Sequence, residues 1–246
     1  MEVPMKAAIV TGVSRGLGES LAAALLARGF AVTGVGRSSA ERLAGELYRF
    51  VRCDLGEVAA IEPMLAPVFG EIAAARPRSV CLINNAAVAG PVGALGTLDT
   101  ASIEESLAVN LVAPLALVNL FCRSFADGST QSLVINISSG AAASPLGGSG
   151  PYSIAKAGLE MLTLQIAADQ KAPAFRAISV RPGIIDTGMQ AYMRALPREK
   201  YANVDIFREF HASGQLVPPD VVAAKIVDRL VLGEVANGRC YSYKEL

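Results

Sequence analysis

Tyr152 and Lys156 stand four residues apart in the stretch GPYSIAKAG, Gly150 to Gly158. On a helix that spacing places them on one face, one turn apart. A free phenol, with a pKa of about 10, is poorly poised to exchange protons near neutrality. A neighbouring ammonium favours the phenolate and lowers that value. The pair is therefore a candidate proton donor with an electrostatic partner. By itself it is thin evidence, since a Tyr at a helix start is more often packing. Pro151 suits the first turn of a helix.

A second constellation is TGVSRGLG, Thr11 to Gly18, with glycines at 12, 16 and 18. Glycine allows tight turning and close backbone approach, and a helix N-terminus offers free N–H groups and a positive dipole end. Gly12, Ser14, Arg15, Gly16, Leu17 and Gly18 would thus cradle a dinucleotide pyrophosphate. Downstream, VGRSS holds Gly36 and Arg37 where an NAD site usually has an acid for the ribose hydroxyls. Arg37 together with Arg15 suits a 2′-phosphate, which favours NADP(H) over NAD(H). Asp54, in CDL, could accept from the adenine amino group, with Leu55 beside it; an N-cap role for Asp54 is the plainer alternative.

The elements that must carry these residues alternate. KAAIVTG, AVTGVGR, YRFVRCDL, SVCLINNA, SLVINISS and FRAISVRPG read as strands, and GRCYSY as a short last one. Between them, helical patterns cover GLGESLAAALLARG, a short SAERLAGEL, EVAAIEPMLAPVFGEIAAA, SIEESLAVNLVAPLALVNLFCRSF and PYSIAKAGLEMLTLQIAAD. Pro63 and Pro67 threaten the third of these. After Thr187 the pattern loosens until the helical PPDVVAAKIVDRLVLG. Strand–helix alternation at this spacing predicts an α/β fold: one doubly wound parallel sheet of about seven strands, helices on both faces, in a single Rossmann-type domain over residues 1–246.

The chain carries 22 Lys+Arg and 22 Asp+Glu, so no electrostatic footprint for nucleic acid or an anionic membrane is expected. LAVNLVAPLALVNLF contains Asn110, Pro114 and Asn119, which makes it too short and polar for a membrane span. MEVPMKAAIVTG enters a strand at once, without the marks of a secretion signal, and a cytoplasmic location is expected. Cys53, Cys81, Cys122 and Cys240 are scattered without metal-ligand spacing, so reduced thiols and no metal are expected.

TGVSRGLG, NNAA at Asn84–Ala87, Asn110, ISSG at Ile137–Gly140, YSIAK at Tyr152–Lys156 and RPGIIDT at Arg181–Thr187 together resemble the short-chain dehydrogenase/reductase family, in order and spacing. Ala87 departs from the family's usual Gly. The resemblance implies a catalytic set of Ser139, Tyr152, Lys156 and Asn110. It places a Ser about thirteen residues before the Tyr, which selects Ser139 and leaves Ser138 as second choice. Neighbours on a strand face opposite sides, so only one of them can point at a substrate. Ser139 would hold the carbonyl oxygen near the phenol, Lys156 would also bind the nicotinamide ribose, and Asn110 would support a water linking Lys156 to solvent. Asn84, Ala86, Pro182, Gly183, Ile185 and Thr187 are implied on the nicotinamide side, Ile185 and Thr187 at the carboxamide. A homodimer or homotetramer through the helices at 102–125 and 152–169 is implied as well.

The last third is similar to sepiapterin reductases and bacterial benzil reductases, which implies NADPH-dependent reduction of a small-molecule ketone, often one carbonyl of a 1,2-diketone. Sepiapterin reductases carry an Asp that anchors the pterin; Ser242 falls there, and a neutral hydroxyl cannot bind a guanidine-like edge as a carboxylate does. An apolar diketone is therefore favoured over a pterin; a general alcohol dehydrogenase or 3-oxoacyl reductase remains an alternative. Residues 188–217 follow the sixth strand's C-terminal end, where such sheets bind ligands, and Met189 and Tyr192 are candidate substrate contacts, with Met193 and Phe207 completing an apolar lid or its packing. His211 is read as a surface or lid residue without catalytic duty.

Overall fold

The computed structural model describes residues 6–246. Seven strands form one sheet: β1 (Lys6–Thr11), β2 (Phe30–Gly36), β3 (Tyr48–Arg52), β4 (Ser79–Asn84), β5 (Gln131–Ile137), β6 (Phe175–Arg181) and β7 (Cys240–Ser242). Their spatial order is β3-β2-β1-β4-β5-β6-β7, and every pairing is parallel. The chain winds outward from β1 to β3, then returns to β4 on the other side of β1. That reversal opens a crevice at the C-terminal ends of β1 and β4, where doubly wound sheets take their ligands.

Alternation along each strand feeds two cores. Ile9, Leu82, Val134 and Ala177 face α2 (Val58–Ala74), α4 (Ala113–Phe125) and α5 (Gly150–Asp169). Ala8, Val10, Ile83, Ile135 and Ile178 face α1 (Gly16–Leu26) and α8 (Pro219–Ile226). In the first core Phe121 packs against Phe69, Phe125 and Phe175, with ring centroids 6.3, 4.9 and 5.8 Å away. A third, smaller cluster of Val92, Met193, Leu196, Tyr201 and Val204 sits over the crevice side. It is built from α6 (Gly188–Ala195), α7 (Val204–Ala212) and the loop after β4. The region where the sequence pattern loosens is thus two short amphipathic helices with a core of their own.

Three elements differ from the sequence expectation. SAERLAGEL is not helical but a run of turns. Only Leu43 of it is deeply buried and Gly45 takes a φ of +110°, so little tertiary packing offsets the cost of nucleating a short helix. Helix α2 runs unbroken over Pro63 and Pro67. The long helix before β5 is α3 (Thr100–Leu107), a π-helical turn at Ala108–Val112, then α4. The continuous helical run Thr100–Phe125 extends beyond the apolar stretch read as too short and polar for a span, and by length and composition alone it is enough to cross a membrane. Here Leu117, Phe121 and Phe125 are instead spent in the core under the sheet.

Candidate active site

The first turn of α1 has no side-chain cap: Arg15 precedes it in extended conformation, leaving the helix-start N–H groups open. Gly12 and Gly16 hold φ values of +74° and +63°, which L side chains rarely adopt. Gly18 is fixed by space: a Cβ there would stand 2.1 Å from the Gly12 carbonyl oxygen and 2.4 Å from Asn85 Nδ2. Leu17 is buried and can offer only its backbone, while Ser14 and Arg15 are exposed. Such an uncapped helix start behind a glycine turn fits a pyrophosphate.

The loop is held from below by a residue the sequence reading did not single out. Asn85 donates through Nδ2 to Thr11 O at 2.9 Å, and the N–H groups of Asn85 and Ala86 both donate to Thr11 Oγ1. The backbone of Ala86 packs so close to Gly12 that a Cβ on Gly12 would meet Ala86 Cα at 2.8 Å. Asn84, expected at the cofactor, turns its side chain into the core: it is 2% exposed and donates to Asn136 Oδ1 at 2.9 Å. The alternation of β4 explains the exchange, since neighbouring residues at the end of a strand face opposite sides.

Arg37 is exposed just past β2. Neither Arg37 nor Arg15 forms an ion pair among the described residues. The Arg15 side chain leans toward the start of α6, where a Cβ on Gly188 would lie 3.8 Å from its Cζ, Nε and Nη1. Asp54 is exposed and accepts from the Gly56 N–H at 3.0 Å, so one carboxylate oxygen is spent on a turn. Leu55 is buried and presents only backbone.

The opposite wall carries the reactive groups. Tyr152 and Lys156 lie in the first two turns of α5, with Lys156 Nζ 5.6 Å from the Tyr152 ring centroid. Lys156 is 2% exposed, and Nζ donates to Ile137 O at 2.7 Å. One partner leaves two of its three donors for other acceptors, which suits ribose hydroxyls. Burial depresses its pKa to about 8. Burial also raises the Tyr152 phenol above its usual value, against a lowering hydrogen bond from Ser139. The expected depression of the phenol by Lys156 is therefore not what the protein alone provides: desolvation raises it and outweighs the Ser139 hydrogen bond.

Of the two serines, Ser139 is the one at Tyr152. Its hydroxyl also accepts from the Ala141 N–H at 3.2 Å. Ser138 is 2% exposed and faces away, donating to Glu160 Oε1 at 2.7 Å. Asn110 lies in the π-helical turn, fully buried. Its Oδ1 accepts from Val88 N–H and its Nδ2 donates to Val88 O, both at 2.9 Å. With Oδ1 and Nδ2 both committed to the loop after β4, any part in a water relay falls to the Asn110 backbone. Ser106, one turn before, accepts from the same Nδ2 at 3.2 Å.

After β6, Pro182 is buried and Gly183, at φ +81°, rests on Tyr243. Ile185 is buried and bridged to Val217, so it too offers backbone rather than side chain. Thr187 reaches the phosphate loop, with Cγ2 3.2 Å from where a Gly16 Cβ would be. Tyr192 is exposed, Met189 half-buried, Met193 part of the small core and Phe207 packed against it. His211 is exposed on α7. Ser242 is engaged with Glu245, donating through Oγ and N at 2.7 Å each. Glu245 also pairs with Arg239, and these contacts hold its pKa at about 2. The four cysteines are free thiols. No group of three or more metal-ligating side chains occurs among the described residues.

These positions have counterparts in known proteins. The family model of short chain dehydrogenases matches residues 6–197. Benzil reductase ((S)-benzoin forming) of Bacillus subtilis is 32% identical over 243 residues, covering 98% of this chain and 99% of the relative. Sepiapterin reductase of Meriones unguiculatus is 34% identical over 238 residues, 90% of each. The crystal structure of the KRED1-Pglu enzyme superposes with a TM-score of 0.84 at 28% identity, covering 96% of this chain and 100% of that one. A nucleotide cradle, a Ser–Tyr–Lys wall and a match along the whole sheet coincide: the chain belongs to the short-chain dehydrogenase family, oxidoreductases that act on alcohol and carbonyl groups with a nicotinamide cofactor.

Proposed function

We propose that the protein is an NADPH-dependent carbonyl reductase whose substrate is a ketone, one carbonyl of an apolar 1,2-diketone. The observation that carries the chemistry is the convergence of Ser139, Tyr152 and Lys156 on one wall of the crevice. Similarity to two benzil reductases over nearly the whole chain, 32% and 31% identical, supports the diketone. Bound NADPH would supply the hydride. Tyr152, its phenol kept protonated by burial, donates a proton to the carbonyl oxygen as negative charge develops there. Ser139 holds that oxygen against the phenol by a hydrogen bond. Lys156 uses its two uncommitted N–H donors on ribose hydroxyls, and its charge stabilises the phenolate left behind.

The pterin reading is weaker at Ser242. The nearby Glu245 carboxylate is already taken by Ser242 and Arg239, so no free acid stands there for a pterin's guanidine-like edge. The choice of NADPH rests on Arg37, exposed at the end of β2 without an acid beside it in VGRSS. Arg37→Asp should move the preference toward NADH; comparing kcat/KM for the two nucleotides measures it, and an unchanged ratio removes Arg37 from the site. The reading also carries a cytoplasmic location and a substrate segment at 188–217.

Steady-state oxidation of NADPH with a panel of diketones, quinones and pterins tests the activity. Benzil-type diketones should be reduced fastest. Tyr152→Phe should abolish turnover while leaving NADPH binding intact, and a fully active Tyr152→Phe would sink the mechanism.

A further inference from the structure

Outside the Ser–Tyr–Lys wall, one charged cluster ties several elements beside the site together. Glu160 lies on α5, one turn beyond Lys156, and its side chain retains 19% of its accessible surface. It receives both N–H arms of Arg181, Nε at 2.8 Å and Nη2 at 2.6 Å. It also accepts from Ser138 Oγ at 2.7 Å and from Cys240 Sγ at 3.5 Å. Glu160 on α5 thus joins three partners, the residue after β5, the last residue of β6 and the first residue of β7. Ser138 Oγ also lies 3.4 Å from the Lys156 carbonyl oxygen, closing the cluster back on the catalytic helix.

Two of the partners are next to residues of the proposed site. Ser138 precedes Ser139, and Arg181 precedes Pro182 and Gly183. Ser139 is extended, at φ −156° and ψ 158°. In extended backbone, neighbouring side chains point to opposite sides. Tying the Ser138 hydroxyl to Glu160 therefore turns Ser139 toward Tyr152. Tying Arg181 in a two-armed, charge-assisted pair sets the height at which the 182–187 loop leaves the sheet.

We propose that Glu160 is a positioning residue: its carboxylate fixes Ser139 and the Pro182–Thr187 loop relative to Tyr152 and Lys156. It touches none of the reacting atoms and acts through Ser138 and Arg181. This inference rests on the reductase reading above. A displacement of about 1 Å at a reacting group can cost on the order of 100-fold in rate, so a pin of this kind matters to turnover and not only to folding.

The experiment compares wild type, Glu160→Gln, Ser138→Ala and, as a control, Glu62→Gln. The control removes a similar ion pair, with Arg123, on the outer side of α2 and α4. Each variant is assayed for kcat per folded molecule, for NADPH Kd, for Tm, and for the primary isotope effect with NADPH deuterated at the transferred position. Glu160→Gln should lower kcat by roughly tenfold or more, with hydride transfer becoming rate-limiting and the isotope effect rising. NADPH Kd should stay within about threefold, and Ser138→Ala should move in the same direction by a smaller factor. Glu62→Gln should leave kcat and the isotope effect unchanged. If Glu160→Gln lowers Tm alone, with kcat per folded molecule and the isotope effect as in wild type, the pair is only structural and the proposal falls. Should Glu160→Gln fail to fold, an unchanged isotope effect in Ser138→Ala overturns the proposal by itself. A wild type that reduces no carbonyl in the panel overturns the reductase reading instead, which the variants' behaviour does not imitate.

Discussion

Lys156 shows how a residue is made costly and useful at once. Its ammonium is 2% exposed and pairs with no carboxylate among the described residues, so burial lowers its pKa to about 8. The sign of the linkage follows. The unfolded chain, with a lysine pKa near 10.4, binds the proton over a range where the folded chain has released it. Stability contributed by this group therefore rises as pH rises from about 8 to about 10.5. Lys156→Met removes the charge penalty and the pH dependence together. The stability difference between variant and wild type should move in favour of wild type by on the order of 3 kcal/mol across that window, on top of a pH-independent offset from the lost bond to Ile137 O. Denaturant unfolding of both proteins at pH 7 and pH 10 measures the difference; a difference independent of pH contradicts a buried, ionised lysine. The pair itself was legible because the i,i+4 rule is local. The direction of the Tyr152 shift was not, because desolvation depends on α5 packing against the sheet, which no spacing encodes. Asn84 and Asn85 show the same limit: the motif names both, and only the end of β4 decides which turns inward.

At the scale of elements, the strands and most helices could be read from the period of their apolar residues. The π-helical turn could not, since one inserted residue leaves the local composition unchanged. Its effect is specific: it carries the fully buried side chain of Asn110, which clamps both backbone groups of Val88. Wide turns of this kind are common at functional sites because they redirect a side chain without ending the helix. Asn110→Ala would leave the Val88 N–H and C=O without these partners, at a cost of about 1–3 kcal/mol for each group left unsatisfied. The loop from Asn85 to Val92 forms part of the crevice rim, so kcat should fall with stability. Parallel measurement of Tm and of kcat per folded molecule checks this; full activity would show that the clamp is irrelevant to the site. The turn-rich stretch after Arg37 failed for the opposite reason. Its residues have helical propensity, but only Leu43 is deeply buried, and a short helix needs packing to survive.

At the scale of the whole molecule, apolar surface is unevenly distributed. The sheet is covered on both faces, yet α4 and α5 expose Ile154, Met161 and Leu164 together with Leu115, and Val112 in the turn before α4. Ile154, Met161 and Leu164 are spaced seven and three residues apart, which aligns them on one side of α5. The π-helical turn approaches α5 closely: a Cβ on Gly158 would meet Leu111 Cδ1 at 2.7 Å. These exposed apolar side chains on neighbouring elements suit an association site. A second copy of the chain, presenting the same two helices across a two-fold axis, would bury it on both sides. Met161, 62% exposed, lies within that face. Met161→Glu would put a carboxylate into that face on each copy. Uncompensated charge buried in an interface costs several kcal/mol, enough to dissociate a dimer of ordinary affinity. Sedimentation velocity should therefore show wild type as a dimer or tetramer and Met161→Glu shifted toward monomer, with Tm of the monomer reduced. A wild type that sediments as a monomer, or a Met161→Glu variant with unchanged mass, removes this face from the assembly.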